Sequence, residues 1–461
     1  MAHNKKYFFE TYGCQMNSAE SAALSLVCKE RGWIQAEDAQ SADIVIINTC
    51  SVRLTAEKRA FGRIAHYAGI KKKSKKNFTL VIAGCMAQRL ERKLKEKFPQ
   101  VDYVMGTSAR SQFPYILEAA EKGTGALFDV NEKTVFSFSD SHLEEGQFRS
   151  FIPIMHGCNN YCSYCIVPYV RGREVSRSPL NIMQEIELVA QRGVREITLL
   201  GQNVNSYLWE PSNGQDALFA EKSEGSGSEK EKIDFSALLK QIAFAAQKTA
   251  IKRIRFLSAN PGNFSYKTIE TLASNDIFCR HIHLPVQHGS NNVLKTMNRG
   301  YTIERFTELV REIRSAMPGI TLSTDILVGF PGETEDDLAK TLNLMEEIKF
   351  LYSYMYHFNP REGTKAYELP DRIPEEVKKE RLSRVIALQK KHTAGLLKER
   401  IGSTEIVLVE GISRKNADEL ITRTEKDEMV AVPGPASMIG SFGKLTLSSL
   451  KGNTFRAKEI L

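Results

Sequence analysis

Residues 152–165, IPIMHGCNNYCSYC, decide the fold of the central part of the chain. The apolar run at 152–156 has the length of a buried strand, and three cysteines, Cys158, Cys162 and Cys165, follow it on one tight loop. Loops at the carboxyl ends of barrel strands are where β/α-barrel enzymes build their active sites. Three thiolates suit an iron–sulfur cubane and leave one of its irons open, as catalytic metal sites require. The stretch therefore predicts a catalytic iron–sulfur centre.

The alternative for these cysteines is a zinc knuckle. Such a site needs a fourth Cys or His, and His156 is the nearest candidate. Two further cysteines, Cys28 and Cys279, stand alone in apolar surroundings and are interpreted as buried core residues.

Working outward from the loop, five more strand candidates separated by helical spacing lie at 196–200, 253–257, 281–285, 321–328 and 352–358. Six β/α units are too few for an eightfold barrel. We therefore predict an open (β/α)6 partial barrel over residues 149–395. Residues 210–232, rich in Gly, Ser, Glu and Lys, read as a disordered surface insertion.

Upstream of the barrel, three predicted strands each end in a cysteine: YFFETYGC ends at Cys14, IVIINTC at Cys50 and LVIAGC at Cys85. Alternating strands and helices predict a doubly wound parallel sheet in residues 1–120. Because the carboxyl ends of such strands line one crevice, the three cysteines could hold a second cluster. Gly13 and Gly84 would let the backbone approach a bulky cofactor. The alternative is three ordinary buried thiols.

Residues 121–148 read as a linker, and residues 396–461 as a small β-barrel with short strands at 405–409, 419–424, 429–432 and 443–447. Residues 403–461 hold eight basic and eight acidic side chains, which is not the footprint of a basic RNA-binding domain.

The net positive charge of the chain lies in its N-terminal part. The net charge is +8, and residues 1–120, with 19 Lys and Arg against 11 Asp and Glu, account for all of it. The lysine run at 71–76 either contacts RNA or is a solvated loop. No apolar run of about 18 residues and no leader sequence is present, so we expect a soluble cytoplasmic protein without a membrane segment.

Several motifs together resemble the radical S-adenosylmethionine (SAM) methylthiotransferase family. They are YGCQMN, NTCSVR, AGCMAQ, HGCNNYCSYCIVPYVRGREVSR, GQNVNSY (201–207), LPVQHGSN (284–291), MNRGYT (297–302) and DILVGFPGET (325–334). The resemblance covers nearly the whole chain except the insertion. The tail resembles the small barrel called TRAM.

The resemblance implies two 4Fe–4S clusters and two molecules of SAM per turnover. The cluster at Cys158, Cys162 and Cys165 would generate the 5′-deoxyadenosyl radical, and the auxiliary cluster would carry the sulfur. Tyr164 would lie near the adenine, and Gln202 and Asn203 near the methionine part. Further cofactor contacts would come from three residues of the fifth barrel strand and the turn after it, namely Ser323, Asp325 and Gly329.

Within the family, Ser51-Val52-Arg53 resembles the type that modifies N6-isopentenyladenosine 37 of tRNA, and Ser51 and Arg53 are candidate substrate contacts. The other types act on threonylcarbamoyladenosine or on an aspartate of a ribosomal protein. Arg171 and Arg173 either meet phosphates or pair with Glu174 or other carboxylates. A different class, a redox-sensing RNA-binding iron–sulfur protein, stays open. The resemblance further implies an electron donor such as flavodoxin or ferredoxin, a sulfur source and a monomeric chain.

Overall fold

The computed structural model describes residues 5–52, 54–73, 78–123, 138, 146–211, 232–414 and 416–461. Most of the predicted linker and of the predicted insertion therefore lie outside the described residues, and so does Arg53. Within the described ranges, every helix is too short or too polar to cross a membrane.

The N-terminal part is a five-stranded parallel sheet with helices on both faces. The strands are β1 (Lys6–Thr11), β2 (Ile34–Gln35), β3 (Ile44–Thr49), β4 (Thr79–Gly84) and β5 (Tyr103–Met105), in the spatial order β2-β1-β3-β4-β5. The helices are α1 (Gln15–Glu30), α2 (Leu54–Lys73), α3 (Cys85–Lys97) and α4 (Phe113–Lys122). Doubly wound sheets of this order bind ligands between β1 and β3, where the order reverses.

Two apolar cores cover the two faces of this sheet. Along β3, Val45 and Ile47 belong to one core, whereas Ile44 and Ile46 belong to the other. All six residues of β3 are buried, as expected for a central parallel strand with both faces covered. The predicted doubly wound arrangement is thus observed, although the sequence pattern missed the short edge strands β2 and β5 and the helix α4.

The central part holds two three-stranded parallel sheets, ordered β6-β9-β12 and β13-β14-β15. The strands here are β6 (Arg149–Pro153), β7 (Met155–His156), β8 (Val175–Ser176), β9 (Glu196–Leu200), β10 (Leu208–Trp209), β11 (Ile233–Asp234), β12 (Arg253–Phe256), β13 (His281–His283), β14 (Thr321–Val328) and β15 (Tyr352–His357). The helices are α5 (Val167–Arg171), α6 (Pro179–Gln191), α7 (Phe235–Gln247), α8 (Tyr266–Ala273), α9 (Asn291–Thr296), α10 (Ile303–Ala316), α11 (Glu335–Ile348) and α12 (Glu375–Glu399). One continuous apolar core joins the two sheets to their helices.

The first predicted barrel strand divides into two pieces. β6 pairs in parallel with β9, but β7 leaves the sheet and pairs with β8 in an antiparallel ladder. The cysteine loop therefore begins on a two-stranded ribbon that starts just beyond the sheet.

The C-terminal part is a six-stranded sheet in the order β19-β16-β17-β18-β21-β20. Its strands are β16 (Thr404–Ser413), β17 (Asn416–Thr424), β18 (Met429–Pro433), β19 (Phe442–Thr446), β20 (Ser449–Lys451) and β21 (Thr454–Arg456). The sequence predicted four of them and missed the last two, which are only three residues long and meet at a turn containing Gly452 at φ +62°.

This sheet packs against the amino-terminal ends of the central strands. The guanidinium of Arg253, at the start of β12, donates hydrogen bonds to the carbonyl oxygens of Arg423 and Ile406. Arg149, at the start of β6, forms an ion pair with Glu410 at 2.6 Å. The C-terminal sheet therefore lies at the end opposite the cysteine loop, which follows the carboxyl end of β6.

Candidate active site

The loop carrying Cys158, Cys162 and Cys165 is held by backbone hydrogen bonds to distant segments. The Cys158 amide donates to the Gly172 carbonyl at 3.1 Å. Ser163, between the second and third cysteines, donates from its amide to the Met297 carbonyl at 2.9 Å and accepts from the Ala366 amide at 2.7 Å. The thiols are thus positioned by three parts of the chain that meet only in the folded protein.

Gly157 fixes the entry into this loop. Its φ is +78°, and a Cβ atom added there would lie 2.0 Å from the carbonyl oxygen of Arg173. Only glycine fits this backbone, since both the positive φ and the close carbonyl exclude a side chain.

The thiols of this loop lie in a poorly solvated place. Burial raises the pKa of Cys158 to about 11 and that of Cys165 to about 12. A thiolate is therefore stable here only beside a positive group, such as a metal. The Arg299 guanidinium donates a hydrogen bond to Cys162 Sγ at 3.4 Å and supplies one such charge.

The second triplet assembles at the carboxyl edge of the N-terminal sheet. Cys14 follows β1, Cys50 follows β3, and Cys85 follows β4 as the first residue of α3. The pKa of Cys85 is raised to about 12. Burial is the main cause, and the nearby Cys50 and Cys14 contribute to the rise. The structure thus brings together three cysteines that are far apart in sequence, at the edge predicted from their strands.

The segments that carry the two triplets pack against each other. Cys85 packs in one apolar cluster with Ile166, the residue after Cys165, and with Val170. Cys14 packs beside Leu200, the last residue of β9.

Arg361 lies between the triplets. Burial lowers the pKa of Arg361, whereas the nearby Cys50 and Cys165 act to raise it. Its Nη2 donates to the Val52 carbonyl at 2.5 Å, and its Nη1 lies 3.4 Å from Glu57. One arginine from the central part therefore contacts the loop that carries Cys50.

The glycines beside the second triplet are required by close packing within the protein. A Cβ on Gly13, which has φ +131°, would lie 2.4 Å from Cys50 Cβ, and one on Gly84 would lie 2.4 Å from the Asn48 side chain. Protein atoms therefore occupy the space on the side where each Cβ would lie, and an approach to a bulky cofactor stays a prediction for the other side of the backbone.

Two predicted substrate contacts are corrected. Ser51 is fully buried, and its hydroxyl accepts a hydrogen bond from Arg89 Nε at 2.9 Å, so it braces the Cys50 loop from inside. Arg171 is also buried, with its Nη1 2.6 Å from Glu20 of α1. The second of the two readings for Arg171 is therefore the observed one, with Glu20 as the partner in place of Glu174.

Arg173 remains exposed, whereas its neighbour Glu174 points inward. Glu174 accepts hydrogen bonds from the Asn159 amide at 3.1 Å and from Asn203 Nδ2 at 3.1 Å. Glu174 thereby ties the cysteine loop to the segment after β9.

Gln202 and Asn203 follow the carboxyl end of β9. Gln202 Oε1 and Asn203 Oδ1 are buried acceptors that have no hydrogen-bond partner within the described ranges. Buried polar atoms are nearly always paired, so these two point to a missing donor such as the ammonium group of a bound cofactor.

The other predicted cofactor residues lie around β14. Ser323 Oγ is hydrogen-bonded to His281 Nε2 at 2.9 Å and His283 Nδ1 at 3.0 Å, and Asp325 lies 3.5 Å from His283 Nε2. Tyr164 packs in an apolar cluster behind the cysteine loop.

Gly329 follows β14 at φ +69°, where an added Cβ would lie 2.3 Å from Lys378 Cγ of α12. This face of the glycine is therefore covered by a lysine side chain, which gives it a packing role independent of any cofactor.

The donor set fits iron–sulfur clusters. Each triplet offers three thiols with an arginine nearby: Arg299 donates directly to Cys162, whereas Arg171, beside the other triplet, is paired with Glu20. In the part of the chain that the structure describes, no three His, Cys, Asp or Glu side chains converge on a point suited to one metal ion. A cubane spreads its thiolates over several irons and needs no such convergence.

Sequence reasoning missed Arg299 and Arg361. Arg299 lies in the MNRGYT motif, and that motif was the available signal. Nothing in the sequence indicates that Arg361 reaches Val52, 309 residues earlier.

Comparison with known families agrees with this architecture. Residues 152–345 match the model of the radical SAM superfamily, and residues 6–106 match that of the uncharacterized protein family UPF0004. The solved structure of the radical SAM methyltransferase TsrM from Kitasatospora setae, 15% identical, superposes with a TM-score of 0.58 over 79% of this chain and 77% of that one. At this identity the likeness concerns the fold alone. The class defined by the fold and site is that of radical SAM enzymes.

Relatives with similar sequences indicate which family of radical SAM enzymes the chain resembles. The chain is 49% identical to a tRNA-2-methylthio-N(6)-dimethylallyladenosine synthase from Treponema denticola, covering 98% of this chain and 99% of the relative. It is 38% identical to a Clostridium botulinum protein of the same name, over 98% and 95% of the two chains. The chain belongs to the family of tRNA-2-methylthio-N(6)-dimethylallyladenosine synthases.

Proposed function

We propose that this enzyme inserts a methylthio group at C2 of N6-isopentenyladenosine 37 in tRNA. The observation that carries the proposal is the meeting of two cysteine triplets, with Cys85 packed against the residue that follows Cys165. Radical generation alone needs one triplet. A second triplet facing the first is expected when a carbon activated at one centre receives its sulfur from the other.

Two 4Fe–4S clusters and SAM supply the chemistry when bound: reductive cleavage of SAM at one cluster and sulfur delivery from the other. The protein itself holds and shields these groups. Cys158, Cys162 and Cys165 bind the first cluster, and Cys14, Cys50 and Cys85 bind the second. Ile166 and Val170 exclude water between them, which protects a radical from side reactions.

The cofactor contacts follow from the orphaned acceptors. Gln202 Oε1 and Asn203 Oδ1 would accept hydrogen bonds from the N–H groups of the amino group of SAM. Ser323 and Asp325, on β14, are proposed as further contacts of SAM. Tyr164 and the backbone at Gly329 would contact the adenine.

We further propose four regions: an N-terminal methylthiotransferase domain in residues 1–120, a linker in 121–148, a radical SAM domain with an open (β/α)6 partial barrel in 149–395, and a TRAM barrel in 396–461. The two three-stranded sheets would form the two halves of that partial barrel. Since α12 runs to Glu399, it would connect the last two domains as one helix.

The exposed Arg173 contacts tRNA phosphate near the cysteine loop. Arg53, which lies outside the described residues, stays a proposed substrate contact on the strength of the resemblance alone. The enzyme works as a cytoplasmic monomer, with a donor such as flavodoxin or ferredoxin supplying electrons and a separate source supplying sulfur.

Nucleoside mass spectrometry of tRNA tests the substrate. Cells lacking this gene should lose 2-methylthio-N6-isopentenyladenosine and accumulate the unmodified isopentenyl nucleoside, and the wild-type gene should restore it. Unchanged 2-methylthio-N6-isopentenyladenosine would exclude the proposal. A loss confined to the threonylcarbamoyl derivative or to the ribosomal protein would assign one of the other substrates.

One reaction product distinguishes the proposed enzyme from the alternative of a redox-sensing RNA-binding iron–sulfur protein. The reduced, reconstituted protein should form 5′-deoxyadenosine from SAM under strictly anaerobic conditions, whereas a sensor would form none.

A further inference from the structure

Arg299 directs a half-buried positive charge at the cysteine loop. It follows α9, and its guanidinium donates three hydrogen bonds: Nη1 to Cys162 Sγ at 3.4 Å, Nη2 to the Pro285 carbonyl at 2.8 Å, and Nε to the Tyr301 hydroxyl at 3.1 Å. Because Pro285 and Tyr301 hold the other two donors, the third points at the sulfur in a fixed direction.

This charge has no carboxylate partner. Across the ranges that the structure describes, no Asp or Glu forms an ion pair with Arg299, and its three acceptors are a thiol, a carbonyl and a phenol. Arg171, the arginine beside the other triplet, is by contrast neutralised by Glu20 at 2.6 Å. The two triplets therefore lie in different electrostatic surroundings.

We propose that Arg299 is a positioning residue that raises the reduction potential of the cluster held by Cys158, Cys162 and Cys165. This inference rests on the proposed function, which supplies the cluster. Reduction adds one electron from the external donor, and no bond is made or broken. The reduced form carries one more negative charge, so a nearby cation and an N–H···S hydrogen bond favour it over the oxidised form.

A redox titration of this one cluster tests the proposal. The full chain carrying Cys14→Ala, Cys50→Ala and Cys85→Ala would be reconstituted, so that a single cluster reports. Its reduced fraction would be followed by electron paramagnetic resonance at fixed solution potentials, without SAM and without tRNA.

Arg299→Gln should lower the ratio of reduced to oxidised cluster about tenfold at a given potential, which for one electron corresponds to about 59 mV. Arg299→Lys keeps the charge but loses the planar fork, and should lower the ratio about threefold. Tyr301→Phe is the matched control. It removes the Nε acceptor without touching the sulfur contact, and should leave the ratio within about twofold.

An unchanged ratio in Arg299→Gln, at full iron content, would overturn the proposal. If Arg299→Gln does not retain the cluster, Arg299→Lys becomes the test. A ratio of reduced to oxidised cluster in Arg299→Lys equal to that of the parent protein would then overturn the proposal. A parent protein that binds no iron would instead contradict the proposed function and remove this inference with it.

Discussion

Gly157 shows how a single residue without a side chain positions the chemistry. Its φ of +78° and the Arg173 carbonyl, 2.0 Å from where a Cβ would lie, leave no room for any other residue. The loop that it opens carries all three cysteines of the first triplet.

Gly157→Ala should therefore displace the loop and abolish binding of the first cluster. Iron per reconstituted chain should fall from about eight to about four, because the second triplet lies on another sheet. Gly123→Ala is the control: it has φ +63° and ψ +22° with open space around an added Cβ. That change should cost about 1–2 kcal/mol of backbone strain and leave iron content unchanged. Eight irons in Gly157→Ala would show that the loop tolerates a side chain.

At this scale the sequence predicts the thiols but not their partners. A cysteine at the end of a strand can be read from the chain, because strand ends of a parallel sheet share an edge. The burial of Arg171 and Ser51 cannot, since the acceptor Glu20 and the donor Arg89 are 151 and 38 residues away in sequence. For Arg171 the sequence left phosphate contact and pairing with a carboxylate open, and only the fold shows the pairing.

Helix α1 joins the N-terminal sheet to the cysteine loop through one buried ion pair. The side chains of Glu20 on α1 and Arg171 at the end of α5 are both 3% exposed. A second arginine, Arg110, lies 3.8 Å from Glu20. A pair so deprived of water depends on both partners.

Glu20→Gln should destabilise the protein by about 3–5 kcal/mol, because Arg171 is left buried without a counter-charge. The midpoint of thermal unfolding should fall accordingly. Glu362→Gln is the matched control. It breaks the exposed pair with Lys93, which also links the N-terminal and central parts, and should leave the midpoint of thermal unfolding nearly unchanged. Equal midpoints for the two variants would contradict the importance of the buried pair.

The sequence predicts the longer elements closely and loses the short ones. β3 (IVIINT) and β14 (TLSTDILV) are six and eight residues long, and each contains an apolar stretch of three or four residues that marks it as a strand. β5, β20 and β21 are three residues long, and neighbouring strands rather than local pattern hold them in the sheet.

In the whole molecule, the C-terminal sheet and the candidate active site lie at opposite ends of the central strands. Arg253 and Arg255 of β12 hold this sheet by donating to carbonyl oxygens at the ends of its strands, including those of Thr424 and Glu425. The near-neutral composition of the sheet is understandable if its first task is docking on the central domain.

Replacing Arg253 and Arg255 together by Met should loosen the C-terminal sheet. Cleavage by subtilisin near residues 400–404 should become faster, on the order of tenfold, because local opening exposes that junction. The exposed Arg305→Met, which pairs only along its own helix, should leave the rate unchanged. Equal rates in all variants would show that other contacts hold the sheet.

The order of these regions along the chain was predictable, but their docking was not. Strand-end cysteines on two sheets indicate two centres, yet only the fold shows that Cys85 packs against Ile166. Contacts across a domain interface leave no periodic trace in either sequence segment.

Two alanine variants, compared in one assay, test most directly whether the two cysteine triplets have separate roles. Cys158→Ala should form neither 5′-deoxyadenosine nor methylthiolated tRNA. Cys50→Ala, in the reconstituted enzyme with reductant, SAM and isopentenylated tRNA, should still form 5′-deoxyadenosine but no 2-methylthio product. Formation of the 2-methylthio nucleoside at the wild-type rate by Cys50→Ala would contradict the division of labour between the two triplets.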